Sequence, residues 1–303
     1  MRRKTFVFAG GAALVLAACA PSTDREGSAD STRGFVSDRI TVITRGTGPD
    51  VVLIPGLASH RDVWAGVADS LDDRYRLHLV QVNGFAGFAP GANADGPVSA
   101  PVAEEVARYI RESGLTRPAV IGHSMGGTIG MMLAARHSES VGRLMIVDMT
   151  PFMGMMFGPP AATPEGLRSV ADGMRDTILA QPIGSSTSMI EQMVATMTRM
   201  PAMRDVLVQN ARDSHRPTIA NAFHELIATD MRPELSRITV PVTVLYVVPP
   251  NLPMTPAQYD SLTRQSYSGI SNARVIRIED SNHFIQIDQP ARFVSEVDAF
   301  MRP

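Results

Sequence analysis

The sequence predicts an α/β protein with a mostly parallel central sheet, helices on both faces of the sheet, and an inserted group of helices. Short apolar runs alternate with helical patterns over residues 39–148, the order that a doubly covered parallel sheet requires. One of these runs, at 119–121, enters a glycine-framed turn with a serine at its centre. A methionine-rich helical segment then separates this region from two further apolar runs, at 240–247 and 274–278.

Seven segments are predicted to be strands. Apolar and polar residues alternate at 39–44, which is typical of an edge strand, whereas 51–54 is apolar throughout, as in a strand covered on both faces. The remaining predicted strands are 77–82, 119–121, 144–147, 240–247 and 274–278. Ligand sites of parallel sheets lie at the carboxyl ends of the strands, so functional residues are expected there.

Apolar residues at helical spacing predict helices between these strands. In the core, defined as residues 36–150 and 232–303, they are expected at 62–71 (with Trp64 as a packing residue), 102–113, 125–133, 256–267 and 290–301. Residues 151–231 are expected to form a helical cap, with helices at 164–180, 186–200, 202–214 and 217–229. Residues 149–231 hold 11 of the 18 methionines, whose flexible side chains suit either an adaptable apolar surface or simple packing of the cap on the core.

The serine turn has the spacing Gly-x-Ser-x-Gly at residues 122–126. A strand before it and a helix after it would lift the Ser124 hydroxyl above the sheet edge, and the two glycines would let strand and helix pass closely. The same arrangement would present the backbone amide of Met125 to a negative oxygen formed next to Ser124. Ser124 is therefore a candidate nucleophile, although a glycine-rich turn with an ordinary serine has the same pattern.

Other candidates also follow predicted strands. The amide of Leu57 is a candidate second oxyanion donor, and Phe85 and Phe88 are candidates for the wall of an acyl pocket, unless they pack beneath their own loop. Asp148 ends the strand at 144–147, and His283 lies in a polar loop after the last strand, where a general base is expected. Each position has a plainer structural explanation when it is considered alone.

The first 19 residues indicate a targeting segment, with a basic start, an apolar stretch from 6 to 18, and small residues before Cys19. This resembles a bacterial lipoprotein signal, in which the cysteine is lipidated, and residues 20–35 then form a flexible tether. The expectation is an exported protein anchored to a membrane through Cys19. A plain secretory signal, giving a periplasmic or secreted protein, is the alternative.

Several kinds of chemistry are excluded by composition. Lys4 is the only lysine, so the processed chain has no Schiff-base lysine and no phosphate-binding Gly-Lys loop. Cys19 is the only cysteine, which excludes a disulfide, a thiol nucleophile and a cysteine metal site. His215 and His224 are nine residues apart and do not predict a metal site. No cofactor or metal is expected, and the net charge of −2 does not favour a nucleic-acid partner.

Taken in order, the motifs resemble those of the α/β-hydrolase superfamily, in the carboxylesterase and lipase-like group with a helical cap. The residues that carry this resemblance are Ile54-Pro55-Gly56-Leu57, Gly122-His123-Ser124-Met125-Gly126-Gly127, Val147-Asp148, Ser281-Asn282-His283-Phe284 and Asp288-Gln289-Pro290. The resemblance covers residues 36–303 and implies that Ser124 is the nucleophile, that His283 is the base, and that the amides of Leu57 and Met125 form the oxyanion hole.

The acid of the triad departs from the family pattern. Most relatives carry it in the loop after the strand at 240–247, but residues 248–252 contain no carboxylate. Asp148 is the preferred candidate because some relatives, such as haloalkane dehalogenases, place the acid on the strand after the nucleophile helix. Asp260, and the absence of any acid, remain the alternatives at this point.

The resemblance implies hydrolysis of a small-molecule carboxylic ester with an apolar acyl or alcohol part, through an acyl-enzyme on Ser124. On the same fold, the scissile bond could instead belong to a C–C bond hydrolase, a lactonase, a thioesterase or a perhydrolase. A third hypothesis is a non-catalytic binding lipoprotein with an incomplete triad.

Overall fold

A computed structural model describes residues 34–157, 163–181, 189–249 and 254–302. Within these residues, seven strands form one sheet with the order β1-β3-β2-β4-β5-β6-β7. The strands are β1 (Ile40–Arg45), β2 (Asp50–Ile54), β3 (Arg76–Val82), β4 (Ala119–His123), β5 (Arg143–Val147), β6 (Val242–Tyr246) and β7 (Ala273–Arg277). The mostly parallel α/β fold predicted from the sequence is confirmed.

Only β1 runs antiparallel, pairing with β3, and all other neighbouring strands are parallel. The central strands β4 and β6 are buried along their whole length, and β2 and β5 along all but their first residue. Helices cover both faces of these strands, which is why their sequences are apolar throughout rather than alternating.

Ten α-helices accompany the sheet in the described residues. They are α1 (Ala65–Ala68), α2 (Ser99–Glu112), α3 (Met125–Arg136), α4 (Arg168–Ala180), α5 (Met189–Ala195), α6 (Pro201–Asp213), α7 (Arg216–Ala228), α8 (Pro256–Ser266), α9 (Ile285–Asp288) and α10 (Pro290–Met301). Helix α3 follows the serine turn and is buried from Met125 to Ala135, so it has no solvent-facing stripe. None of the described helices combines the length and apolar character that crossing a bilayer requires.

Several predicted elements differ in length from those observed, among them the helix expected at 186–200, which ends at Ala195. The helix expected at 62–71 is a short 3₁₀ turn, Arg61–Trp64, followed by the single turn of α1. Gly66 within α1 and two aspartates at 72 and 73 disfavour a longer helix there. The strand expected at 240–247 is confined to β6, because Pro241 has no amide hydrogen for a ladder.

Helices α4 to α7 all lie between β5 and β6, where the cap was predicted. Within this group α4 packs on α7, and α5 packs on α6. Glu225 of α7 fastens the group to the core, since its carboxylate accepts the backbone amides of Val98, Ser99 and Ala100 at the start of α2, at 2.6–3.0 Å. The division into core, cap and tether stays a prediction, and the signal segment with Cys19 lies outside the described residues.

Candidate active site

Ser124 lies between β4 and α3 with φ 54° and ψ −122°, a conformation that a non-glycine residue adopts only when its surroundings impose it. Its amide donates to the carbonyl of Val147 on β5 at 2.9 Å. A Cβ on Gly122 would come 2.0 Å from the carbonyl oxygen of Gly126, and a Cβ on Gly126 would come 2.2 Å from that of Ile54. Both glycines are therefore required for the turn to close.

Asp148 occupies the equivalent place on the next strand. It follows β5 at φ 50°, and its amide donates to Leu245 of β6 at 2.7 Å. One carboxylate oxygen, Oδ2, lies 2.6 Å from Nδ1 of His283, and the other accepts the amide of Val247 at 3.0 Å. The Nδ1–H of His283 then donates to Asp148, which leaves the lone pair of Nε2 available to accept a proton.

Asp260, the other acid considered, lies on α8 and makes different contacts. It accepts a hydrogen bond from the hydroxyl of Tyr246 at 2.8 Å and forms an ion pair with Arg277 at 2.9 Å. Burial, together with this hydrogen bond and the carboxylate charge, raises the pKa of Tyr246 to about 12. The structure thus brings Asp148 to the histidine and holds Asp260 with other partners.

Both candidate oxyanion donors lie close to Ser124. Gly56 packs so closely that a Cβ there would come 3.0 Å from Cβ of Ser124, which places the following residue, Leu57, beside the serine. Met125 is the first residue of α3, so its amide is one of the unpaired donors at the helix start. Among the described residues, neither amide donates a hydrogen bond to another group.

These side chains open into one cavity of about 470 Å³ between the sheet edge and the cap. Ser124, Asp148 and His283 lie on its wall, as does Leu57. Much of the rest is apolar, and methionines contribute strongly: Met149, Met153, Met156, Met193 and Met197. Among the described residues, the only ionisable side chains besides two tyrosines on this wall are Asp148 and two histidines.

Phe85 and Phe88 do not line this cavity, which corrects their assignment as an acyl-pocket wall. Phe85 is fully buried beneath its loop, the alternative considered from the sequence. Phe88 packs against the ring of His60, with a centroid separation of 5.6 Å, and under the guanidinium of Arg61. Methionines line this cavity, and neither ring does.

His123 is a part of the site that the sequence analysis did not single out. It is fully buried beside the base, and its Nε2–H donates to the backbone carbonyl of His283 at 3.0 Å. Burial, reinforced by the neighbouring His283, holds the pKa of His123 well below its usual value. The only signal in the sequence was a histidine at the end of an otherwise apolar strand.

Within the described part of the chain, no group of three or more His, Cys, Asp or Glu side chains is arranged to hold a metal ion. His215 bonds to Thr218 at 2.9 Å, and His224 bonds to Asp172 at 3.0 Å, so the two histidines have separate partners.

A family model described as the alpha/beta hydrolase fold matches residues 49–290. The chain belongs to this family. The match spans the nucleophile turn, the strand that ends in Asp148, and the loop that carries His283, and it confirms the resemblance drawn from the motifs.

Among curated relatives, a pimeloyl-[acyl-carrier protein] methyl ester esterase from Nitrosomonas europaea is 26% identical, and the alignment covers 86% of this chain and 98% of that protein. The esterase of the same name from Chromobacterium violaceum is 30% identical over 68% of this chain and 77% of its own length.

Solved structures with the same fold include the enol-lactonase from Burkholderia xenovorans LB400. Its TM-score is 0.71 at 19% identity, with 86% of this chain and 96% of that chain covered. A thermophilic esterase from Thermogutta terrifontis has a TM-score of 0.68 at 19% identity, with coverage of 87% and 93%.

Proposed function

We propose that this protein is a serine carboxylesterase that hydrolyses small esters with an apolar acyl or alcohol part. The observation that carries the proposal is the short hydrogen bond between His283 and Asp148 on the wall of a cavity that Ser124 also lines. The curated relatives, which are named as methyl ester esterases, support ester hydrolysis in general and leave the substrate open.

The residues act in a fixed order in this proposal. The Nε2 lone pair of His283 takes the proton of the Ser124 hydroxyl while the serine oxygen bonds to the ester carbonyl carbon. The carbonyl oxygen becomes negative and is stabilised by the amides of Leu57 and Met125. The imidazolium, held by Asp148, then protonates the departing alcohol as the C–O bond breaks. Water then attacks the acyl-enzyme while His283 takes a proton from it. The two amides stabilise the oxyanion again, and the imidazolium returns the proton to the Ser124 oxygen as the carboxylic acid leaves.

The character of the cavity wall supports a neutral acyl chain. The wall contains no arginine among the described residues, and the segments 158–162, 182–188 and 250–253 contain no charged residue in their sequence. A substrate with a free carboxylate, such as the product of aromatic ring cleavage, would bury its charge there without a partner. This favours an ester over a C–C bond hydrolase that acts on an anionic substrate.

A binding protein without catalysis was the third hypothesis, and its one support was the missing carboxylate at 248–252. The hydrogen bond between Asp148 and His283 counts against this hypothesis, because it gives the histidine a carboxylate partner from another strand.

The test is hydrolysis of p-nitrophenyl esters from acetate to dodecanoate by the protein lacking residues 1–19. Ser124→Ala is expected to lower kcat by at least about 10⁴-fold. The matched control is Ser138→Ala, an exposed serine beyond the far end of α3, which should leave kcat unchanged. Each methylene that enters the apolar cavity should raise kcat/KM by up to about fourfold, until the cavity is full. Turnover that survives Ser124→Ala would contradict the proposal.

We also retain the proposal that Cys19 is lipidated and anchors the protein to a membrane, which rests on residues 1–19 alone. Mass spectrometry of the full chain expressed in a bacterium should find a diacylglyceryl group on Cys19. A chain cut elsewhere, with an unmodified Cys19 or none, would support a plain secretory signal.

A further inference from the structure

Asp288, at the end of α9, joins two segments that are distant in sequence. Its Oδ1 accepts the hydroxyl of Thr198 at 2.5 Å and the amide of Arg199 at 2.9 Å. Its Oδ2 accepts the amide of Asn282 at 2.7 Å. One carboxylate therefore bonds both to the cap, just before α6, and to the residue that precedes His283. The catalytic steps proposed above do not use it.

Two further hydrogen bonds connect the same two segments. The side-chain amide of Asn282 donates to the carbonyl of Thr196 at 2.9 Å, and the backbone amide of Phe284 donates to the carbonyl of Met197 at 3.1 Å. The residues on both sides of His283 are thus bonded to the cap segment 196–199.

The cap segment is also part of the cavity wall. Thr196 and Met197 line the cavity, together with Met193 and Val194 of the preceding helix α5. An acyl chain that packs against these side chains would press on the same stretch of backbone that holds the base. Thr198 itself is fully buried, so its hydroxyl has little freedom to find another acceptor.

We propose that Asp288 is a positioning residue that couples occupancy of the cap side of the cavity to the placement of His283. The inference rests on the proposed esterase function and adds that a chain long enough to reach Met193 and Met197 raises kcat as well as lowering KM. The physical reason is that a negatively charged acceptor shared by both segments makes stronger hydrogen bonds than a neutral one, so neither segment shifts alone. A base displaced by about 1 Å can lose about a hundredfold in rate.

Three variants separate coupling from ordinary stabilisation. Thr198→Val keeps the side-chain shape and removes the hydroxyl, which donates to Asp288 and also accepts the amide of Met200 at 3.1 Å. Asp288 then still holds Asn282 and keeps only the amide of Arg199 on the cap side. Asp288→Asn keeps the side-chain volume but replaces one carboxylate oxygen by an NH₂ group. Either the cap donors or the amide of Asn282 then lose their acceptor. Glu225→Gln is the matched control, because Glu225 also fastens the cap to the core by accepting three backbone amides but does not contact the loop of His283.

Kinetics on the ester series give the first readout. Thr198→Val should keep kcat on the acetyl ester within about twofold and make the rise in kcat with chain length smaller, because one of the bonds between the two segments is lost. Asp288→Asn should lower kcat on every ester by tenfold or more, with little change in KM. Glu225→Gln should leave the dependence of kcat on chain length as in the unaltered protein. Equal effects of the Asp288 and Glu225 variants, or effects on KM alone, would overturn the inference.

Hydrogen exchange gives a readout that needs no turnover. Methyl decanoate, a neutral ester, is added to protein carrying Ser124→Ala, and the exchange of peptides that cover 282–284 and 193–199 is followed. The ester should slow exchange in both segments, and with Thr198→Val added the slowing at 282–284 should be smaller while that at 193–199 remains. Protection confined to the cap without that substitution would overturn the inference. If the unaltered protein hydrolysed no ester but the coupled protection were observed, the proposed esterase function would be wrong and the coupling between the two segments would still be supported.

Discussion

The sheet edge and the cap contribute to the same cavity by different means. At the edge, Ser124 and Asp148 follow adjacent strands at φ 54° and 50°, and each is held by the carbonyl of the next strand in the sheet. On the cap side, the cavity wall consists mostly of apolar side chains, many of them methionines, and carboxylates fasten the cap to the core. Backbone geometry thus positions Ser124 and Asp148, whereas side chains shape the space for the substrate.

The largest expected effect tests whether the sheet edge alone supplies the acid. Asp148→Asn should lower kcat by about 10⁴-fold, because the amide can no longer hold His283 in the tautomer that accepts a proton at Nε2. The measurement is steady-state hydrolysis of the best p-nitrophenyl ester, with circular dichroism to show that the variant is folded.

Asp260→Asn is the matched control for that prediction. It removes a carboxylate that contacts Tyr246 and Arg277, so kcat should change by no more than a few-fold. If the Asp260 variant lost activity and the Asp148 variant kept it, the acid would belong to α8 and the contrast between edge and cap would need revision.

A pair of methionines sharpens the contrast between structural and substrate-shaping side chains. Met145 of β5 is fully buried in the core, and Met145→Ala should cost about 2–5 kcal/mol in the free energy of unfolding. Met193 is half-buried on the cavity wall, so Met193→Ala should cost less and instead shift the preferred acyl chain by one or two carbons.

Urea unfolding and the ester series measure these two outcomes on the same proteins. A large stability loss for Met193→Ala with an unchanged chain-length preference would mean that the cap methionines only pack the cap. That was the second possibility raised by the composition of residues 149–231.

Much of the core was predictable because its signals are local. Apolar runs locate the strands, and the glycines at 122 and 126 are required by backbone atoms only 2.0–2.2 Å from where a Cβ would be. The place of Asp148 at a strand end also follows from the alternation of strands and helices.

What could not be predicted depends on contacts between distant segments. The choice between Asp148 and Asp260 needed the position of His283, 135 residues away from Asp148. Phe85 and Phe88 follow a strand in the right direction, but the path of their loop decides which way the rings face. The hydrogen bond between Asp288 and Thr198 joins residues 90 positions apart, and no local sequence pattern predicts it.

The smallest expected effect concerns His123, which lies beneath the base on the core side of the site. Its Nε2–H donates to the carbonyl of His283, and its Nδ1 has no hydrogen-bond partner among the described residues, so a second proton would be buried without an acceptor. This is why burial holds the pKa of His123 in the folded protein well below its usual value of about 6.5. In the unfolded chain the same histidine takes up a proton as the pH falls through that value. The unfolded state then binds more protons than the folded state, so the free energy of unfolding should fall as the pH drops below about 6.5, by at most about 1.4 kcal/mol per pH unit for this group.

His123→Gln can donate to the same carbonyl and does not titrate. Urea unfolding between pH 7.5 and 5.5 should therefore show a shallower loss of stability for the variant, with the remaining slope coming from His78, whose pKa burial also lowers. Equal slopes for the two proteins would mean that His123 takes up a proton as readily in the folded protein as in the unfolded chain, and would contradict this account.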